Sequence, residues 1–302
     1  MGDPTGSPPR RTEPSDITAA AVASFSGCRD ERLRVLLERL TAHLHAFAAE
    51  VGLTQDEWEA GIRLLTETGH ITDGHRQEFV LWSDTLGLSM LVDALASPSP
   101  DATESTVLGP FYAPGAPRRH YGEAIAEEAA GAPAWVHGVV TDTAGAPIAG
   151  AELDVWQNGD NRLYAVQDPG APEKHLRGRF STRGNGSYAF LAVRPVPYTI
   201  PDDGPVGAML DAAGRHPWRP AHIHLILRAD GYAPVTTHIF DRESAYLDSD
   251  AVFGVKQSLI ASFQRHEAGP APDGKMMSQP FYSVRYDFAL LPTTTSAASP
   301  WP

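Results

Sequence analysis

A single cysteine, Cys28, stands in a chain of 302 residues. That excludes an internal disulfide, a cysteine-rich zinc site and a four-cysteine iron–sulfur cluster. Near a helix start, Cys28 reads as a small apolar side chain. Basic charge is scarce as well, with 24 Lys and Arg against 37 Asp and Glu and a formal net charge of −13. Neutralising phosphates needs clustered Lys and Arg, so no nucleic-acid partner is expected. Long apolar runs are missing, and nothing approaches the roughly 18 residues of a membrane span. The opening MGDPTGSPPRRTEPSD has no apolar stretch after Arg10 and Arg11, and Gly6 breaks the myristoylation pattern. These features lead to the expectation of a cytoplasmic protein. Histidine is plentiful, at 12 residues. Any metal would therefore take nitrogen and oxygen ligands.

The length allows one or two domains with a full core and no covalent staples. Residues 1–24 are polar and proline-rich and are expected to be disordered. Leu33, Leu36, Leu37, Leu40, Leu44 and Phe47 recur at spacings of three and four, which predicts a helix over 29–50. Thr54 and Glu57 form a capping-box pattern for a second helix ending near Thr68 and Gly69, and Thr72 or Asp73 opens a third that runs to about Ala96. Ser97-Pro98-Ser99-Pro100 breaks the pattern. A helical N-terminal domain over 25–110 follows. From about 134 the texture changes to short β-branched and aromatic runs at 135–141, 151–157, 187–193, 222–228, 235–240 and 283–291, separated by Gly, Pro, Asn and Asp. The fold class is α+β: the helical domain followed by a mainly antiparallel β-sandwich over 111–292. One helix is expected at about 250–266 on the face marked by Val252, Val255, Leu259, Ile260 and Phe263, and the tail 293–302 is expected to be disordered.

The segment Arg219-Pro220-Ala221-His222-Ile223-His224-Leu225 is the sharpest chemical feature. Strand residues two apart share a face, so His222 and His224 emerge together while Ala221, Ile223 and Leu225 face a core. Two such imidazoles make half of a metal site, and two network histidines fit the same spacing. The remaining ligands stay open. Asp160 and Asp168 would suit a zinc hydrolase or a ferrous site, whereas Tyr164 and Tyr198 would suit a ferric ion or pack as ordinary tyrosines.

Several spaced segments resemble, in order, the signatures of the intradiol ring-cleavage dioxygenases. They are Glu104-Ser105-Thr106-Val107-Leu108-Gly109-Pro110-Phe111, Asp154-Val155-Trp156-Gln157-Asn158, Tyr164, Leu176-Arg177-Gly178, Pro195-Val196-Pro197-Tyr198-Thr199-Ile200-Pro201 and Arg219 to His224. The resemblance runs from about 25 to 291. Within the family the chain is most similar to the catechol 1,2-dioxygenase group, and there to the members that cleave hydroxyquinol. Thr236-Thr237-His238-Ile239-Phe240 and the segment 248–256 carry that finer likeness. His238 stands where simple catechol enzymes usually have glutamine.

The resemblance implies one non-haem Fe(III) per subunit, held by Tyr164, Tyr198, His222 and His224. It implies cleavage of hydroxyquinol (1,2,4-trihydroxybenzene) with O2 to 3-hydroxy-cis,cis-muconate, the enol of maleylacetate. Catechol or chlorocatechol cleavage to a cis,cis-muconate is the nearest alternative, and a metal-free sandwich that only binds is the remote one. Tyr198 would leave the iron as a base, Arg219 would stabilise negative charge, and His238 would orient Arg219 or a ligand. Leu81, Asp84, Leu108, Gly109, Pro110, Phe111, Ile200, Pro201 and Val252 match positions lining the substrate pocket. Asp84 could accept a hydrogen bond from a third ring hydroxyl, or lie exposed on its helix. The family also implies a homodimer paired through the N-terminal helices, with lipid at the contact in some members.

Overall fold

The computed structural model describes residues 12–73, 76–96, 99–125 and 130–293. Disorder expected at 1–11 and at 294–302, and the breaker pair Ser97-Pro98, fall outside these. The chain divides into two compact units, 1–66 and 67–302, so the last two N-terminal helices group with the sheets rather than with the helices before them.

The first unit opens with α1 (Pro14–Ala23), where disorder was expected. Pro14 sits at the first helical position, and the Glu13 N–H donates to the Asp16 carboxylate at 3.2 Å. These short polar residues satisfy the helix N-terminus locally. In α2 (Glu31–Val51) the Asp30 side chain accepts from Leu33 N–H at 2.8 Å, and Gly52 ends the helix in the left-handed region (φ 62°). The capping box of α3 (Gln55–Ile71) forms as read, Thr54 N–H donating to Glu57 at 2.9 Å. The helix runs through Gly69 to Ile71.

The single helix expected up to Ala96 is two, α4 (Glu78–Thr85) and α5 (Leu88–Ala96), bent by 77°. Gly87 between them takes φ 75°, which an L-residue adopts only with strain. No single helix among the described residues is long and apolar enough to cross a membrane.

The strands are β1 (Pro133–Asp142), β2 (Glu152–Trp156), β3 (Arg177–Ser181), β4 (Ser187–Val193), β5 (Tyr198–Thr199), β6 (Trp218–Arg219), β7 (His222–Arg228), β8 (Val235–Asp241), β9 (Ile260–Ala261), β10 (Gln264–His266), β11 (Gly269–Pro270), β12 (Met276–Met277), β13 (Phe281–Arg285) and β14 (Phe288–Leu290). A sixth helix, α6 (Pro205–Ala212), lies between β5 and β6. One sheet has the order β3-β2-β7-β8-β9, and the other is β10-β13-β1-β14 with β4 also on β1. Most ladders are antiparallel; β1 with β13, β1 with β14, and β8 with β9 are parallel. Between the sheets lie Leu153, Val155, Ile223, Leu225, Leu227 and Ile239 from one and Val136, Val140, Phe190, Val284 and Phe288 from the other. Odd-numbered residues of β7 thus fill the core. Its histidines point to the outer face.

The helix expected at about 250–266 is absent. The Asp250 carboxylate accepts from Val252 and Gly254 N–H at 3.3 and 2.9 Å, and Phe253 takes φ 57°. Those bonds compete with the helical ladder. Further on, Leu259, Ala261 and Phe263 are buried, a period of two, as the chain pairs through β9 and β10 with β8 and β13.

Candidate metal centre

Ladder register builds the site on the outer face of the β2-β7-β8 sheet. His224 lies opposite Trp156 on β2 and His238 on β8, so three ring systems meet in one cross-strand row. The indole of Trp156 stacks on His224 at 4.7 Å and 13°, and His238 stacks on His222 at 4.4 Å and 20°. The two-residue ladder of β5 and β6 places Tyr198 opposite Arg219. Tyr164 comes from the loop between β2 and β3, its ring 5.2 Å from Tyr198 and stacked on Phe111 at 4.7 Å. All five polar groups, Tyr164, Tyr198, Arg219, His222 and His224, are fully buried.

Four donor atoms converge. Tyr164 Oη lies 2.8 Å from His224 Nε2, and His222 Nε2 lies 3.1 Å from His224 Nε2. Arg219 Nη1 faces Tyr198 Oη at 3.3 Å and His222 Nε2 at 3.4 Å. His222 Nδ1 lies 2.7 Å from the Pro220 carbonyl, which can only accept, so Nδ1 carries the proton and Nε2 the lone pair.

His224 then has no satisfactory tautomer. With the proton on Nδ1, that buried N–H lacks an acceptor among the described residues, and two Nε2 lone pairs face each other. With the proton on Nε2, the buried Nδ1 lone pair is left alone and Tyr164 loses its acceptor. A cation between the two Nε2 atoms would relieve the facing lone pairs, with the proton left on Nδ1, and 3.1 Å suits two nitrogens sharing one ion at about 2.1 Å each. The residues fit a metal.

Electrostatics agree with neutral imidazole donors. Burial, then neighbouring cationic charge, holds His222 and His224 well below the ordinary histidine range, and His238 is depressed by burial first and by the other two rings next. Burial, followed by Tyr198, pushes the Tyr164 phenol well up, against the weaker pull of Arg219 and Arg177. A cation bound here would reverse that balance and favour phenolate. Burial works against the Arg219 charge, yet Asp250 and the two tyrosines outweigh it and raise its pKa.

The pocket positions divide into two groups. Leu81, Ile200 and Val252 share one apolar cluster with Val206, Leu210 and Ala251, while Phe111 joins Trp156, Tyr164 and Tyr198 in another. Gly109 (φ 77°) rests against His224, and a Cβ there would come within 3.4 Å of the ring. Pro110 and Pro201 are half-buried. Leu108, at 42% exposure, is the one that faces solvent. Asp84 is 4% exposed rather than displayed on its helix, and burial raises its pKa against the opposing pull of Ser89 and Arg219.

His238 does not reach Arg219 by a hydrogen bond. Neither ring nitrogen bonds to another side chain, the Val107 backbone is its polar neighbour, and the ring touches His222 and His224 by packing. One ring nitrogen from each of the three histidines lies within 4.8 Å of the other two. Asp160 is exposed, and Asp168 accepts from Asn161 and Gly170 in its own turn, so neither is spent on these histidines.

The roles of three groups lay beyond the sequence reading, although Arg177 and Asp250 stand in segments that carry the resemblance. Asp250 grips Arg219 at 3.0 Å. Arg177, buried among the aromatic rings, donates to the Phe111 carbonyl at 2.6 Å. Glu78, also buried, accepts from Val206 N–H at 3.1 Å and ties α4 to α6. No spacing rule links residues 31, 66 or 128 positions from their partners.

A buried cluster of two phenols, two imidazoles and one arginine on the outer face of a sandwich is a candidate metal centre of nitrogen and oxygen donors. The chain belongs to the intradiol ring-cleavage dioxygenases: residues 107–292 match the family model described as "Dioxygenase", and 30–104 the one described as "Catechol dioxygenase N terminus". It is 47% identical to the hydroxyquinol 1,2-dioxygenase of Nocardioides simplex over 92% of this chain and 95% of that one. The 6-chlorohydroxyquinol 1,2-dioxygenase of Cupriavidus pinatubonensis is 43% identical, covering 92% and 97%. Among solved structures, the hydroxyquinol 1,2-dioxygenase of Pseudomonas putida DLL-E4 superposes with a TM-score of 0.89 at 48% identity, covering 93% of this chain and 99% of that one.

Proposed function

We propose that this enzyme cleaves hydroxyquinol between its two adjacent hydroxyl-bearing carbons, adding both atoms of O2 to give 3-hydroxy-cis,cis-muconate, the enol of maleylacetate. The observation that carries the reading is the convergence of Tyr164, Tyr198, His222 and His224, with two imidazole Nε2 atoms 3.1 Å apart and a phenol oxygen 2.8 Å from one of them. These four residues would hold one Fe(III). When bound, the ion draws electron density from the ring diol and so opens it to dioxygen.

The chain's own groups do the rest. Tyr198 Oη takes a proton from a substrate hydroxyl, with Arg219 Nη1 at 3.3 Å to stabilise the oxygen while it is anionic. Arg219 is a fixed positive charge beside negative charge developing on the ring, in a dry site where such a charge acts strongly. Leu81, Ile200 and Val252 exclude water on one side and Phe111 on the other. Asp84 receives the third hydroxyl and distinguishes hydroxyquinol from catechol. The same reading makes the protein a cytoplasmic homodimer.

The test is oxygen uptake by the iron-loaded protein on hydroxyquinol, catechol and chlorocatechol, with the product identified by mass. Hydroxyquinol is expected to turn over fastest, by a protein coloured red-brown by tyrosinate on ferric iron. A large preference for catechol would overturn the substrate assignment, and a preparation left colourless after iron loading would overturn the ligand set.

A further inference from the structure

The Arg219 guanidinium divides its nitrogens between two tasks. Nε and Nη2 donate to Oδ1 and Oδ2 of Asp250 at 3.0 and 3.2 Å, while Nη1 faces Tyr198 and His222. Two parallel bonds to one carboxylate fix the plane of a guanidinium as well as its place. Asp250 is held in turn by Val252 and Gly254 N–H. Gly254 closes the cradle: a Cβ there would lie 2.7 Å from Arg219 Nη2 and 3.1 Å from Asp250 Oδ2. Its carbonyl accepts from Thr106 Oγ1 at 3.0 Å, which anchors the loop from below. Both members of the ion pair are 2% exposed at the side chain.

A buried ion pair is weak ground for a stabilising role, because desolvation offsets most of the attraction. What this one provides is direction. Left without the carboxylate, the guanidinium keeps, among the described residues, two weak contacts, both through Nη1, and neither sets its plane. Asp84, the other acid that interacts with Arg219, makes no hydrogen bond to it.

We propose that Asp250 is a positioning residue for ring cleavage, fixing the Arg219 guanidinium so that Nη1 alone is presented to the Tyr198 oxygen and the substrate. The inference rests on the reading of Arg219 as the group that stabilises negative charge on the ring. The 250–254 loop is therefore part of the active site through the arginine it holds, as well as through Val252.

A double-mutant cycle on the iron-loaded enzyme with hydroxyquinol tests it. Asp250→Asn keeps the size but offers an N–H₂ where Nη2 needs an acceptor. It is expected to lower kcat about 10-fold or more with KM changed less than about 3-fold, and to add nothing further in an Arg219→Ala background. An unchanged or raised kcat overturns the proposal, as does an equal loss in both backgrounds, which would mark a merely structural role. If Arg219→Ala itself turns over at the wild-type rate, the underlying reading fails instead. A second readout needs no turnover: in the metal-free protein the Arg219 Nε–H is expected as a slowly exchanging NMR resonance, identified by its loss in Arg219→Ala and lost again in Asp250→Asn. Its persistence in Asp250→Asn overturns the proposal. Should that variant not fold, Gly254→Ala displaces Nη2 while leaving the carboxylate, and a wild-type kcat there has the same consequence.

Discussion

Asp84 and His238 are the two site residues whose neighbours decide more than their type. Asp84 is a nearly buried carboxyl on α4 whose pKa burial has raised. Replacing it with leucine keeps the bulk and removes the acceptor, a hydrogen bond of about 1 kcal/mol. Asp84→Leu is expected to lower kcat/KM for hydroxyquinol about 5- to 10-fold while leaving catechol nearly unchanged, measured by oxygen uptake on both. A parallel loss on the two substrates would separate Asp84 from the third hydroxyl. His238 carries a pH prediction. It, His222 and His224 are held neutral by burial, whereas in the unfolded chain each titrates near about 6.5. Below that pH the unfolded state binds more protons, so stability falls as pH drops and levels off above it. Each ring contributes about 1.4 kcal/mol per pH unit in that window. His238→Gln removes one titrating ring, and its plot of unfolding free energy against pH should be shallower by that amount between pH 5 and about 6.5. Equal slopes would mean that His238 already protonates in the folded protein.

At the scale of elements, alternation was the signal that served best. The period of two in the sequence puts both histidines on one face and Ala221, Ile223 and Leu225 on the other; Ile223 and Leu225 do lie in the core, where Leu227 joins them. The same signal was masked in 250–266, where Val252, Val255 and Leu259 happen to fall at helical spacing. There a side chain 31 residues from its guanidinium partner decides the backbone, and such a pairing leaves no local trace. The ligand set is a similar case: Tyr164 and Tyr198 were legible only through the resemblance, because loop tyrosines have no periodicity. The run 283–291 reads as one strand but is two, since β1 changes partner from β13 to β14 around Gly138. At that point Tyr286 N–H donates to the His137 carbonyl and Asp287 accepts from Val139 N–H. A Cβ on Gly138 would overlap the Tyr286 carbonyl oxygen. Gly138→Ala is therefore expected to cost about 1–3 kcal/mol or more, read as a lower melting temperature. An unchanged Tm would show that the 286–287 turn can give way.

For the molecule as a whole, the −13 charge argued against a polyanion partner but said nothing of the chemistry inside. The apolar stripe of α2 was plain in the sequence, and Leu40, Leu44 and Phe47 are each more than half exposed in the single chain. If two copies pair through it, the protein is expected to sediment as a dimer, and Leu44→Glu with Phe47→Glu should yield a monomer. A wild-type monomer at micromolar concentration would remove the N-terminal helices from the assembly.

The four donors stand on backbone of unequal firmness. His222 and His224 belong to a seven-residue strand, β7, bonded on both sides, whereas Tyr198 stands on a ladder only two residues long. Local opening is least costly where the fewest backbone bonds must break. On the proposed reading the scaffold sets a strand-held histidine pair beside a tyrosine whose own ladder has fewer bonds to break. The tyrosine proposed to take the proton is thus the one held by the shorter ladder.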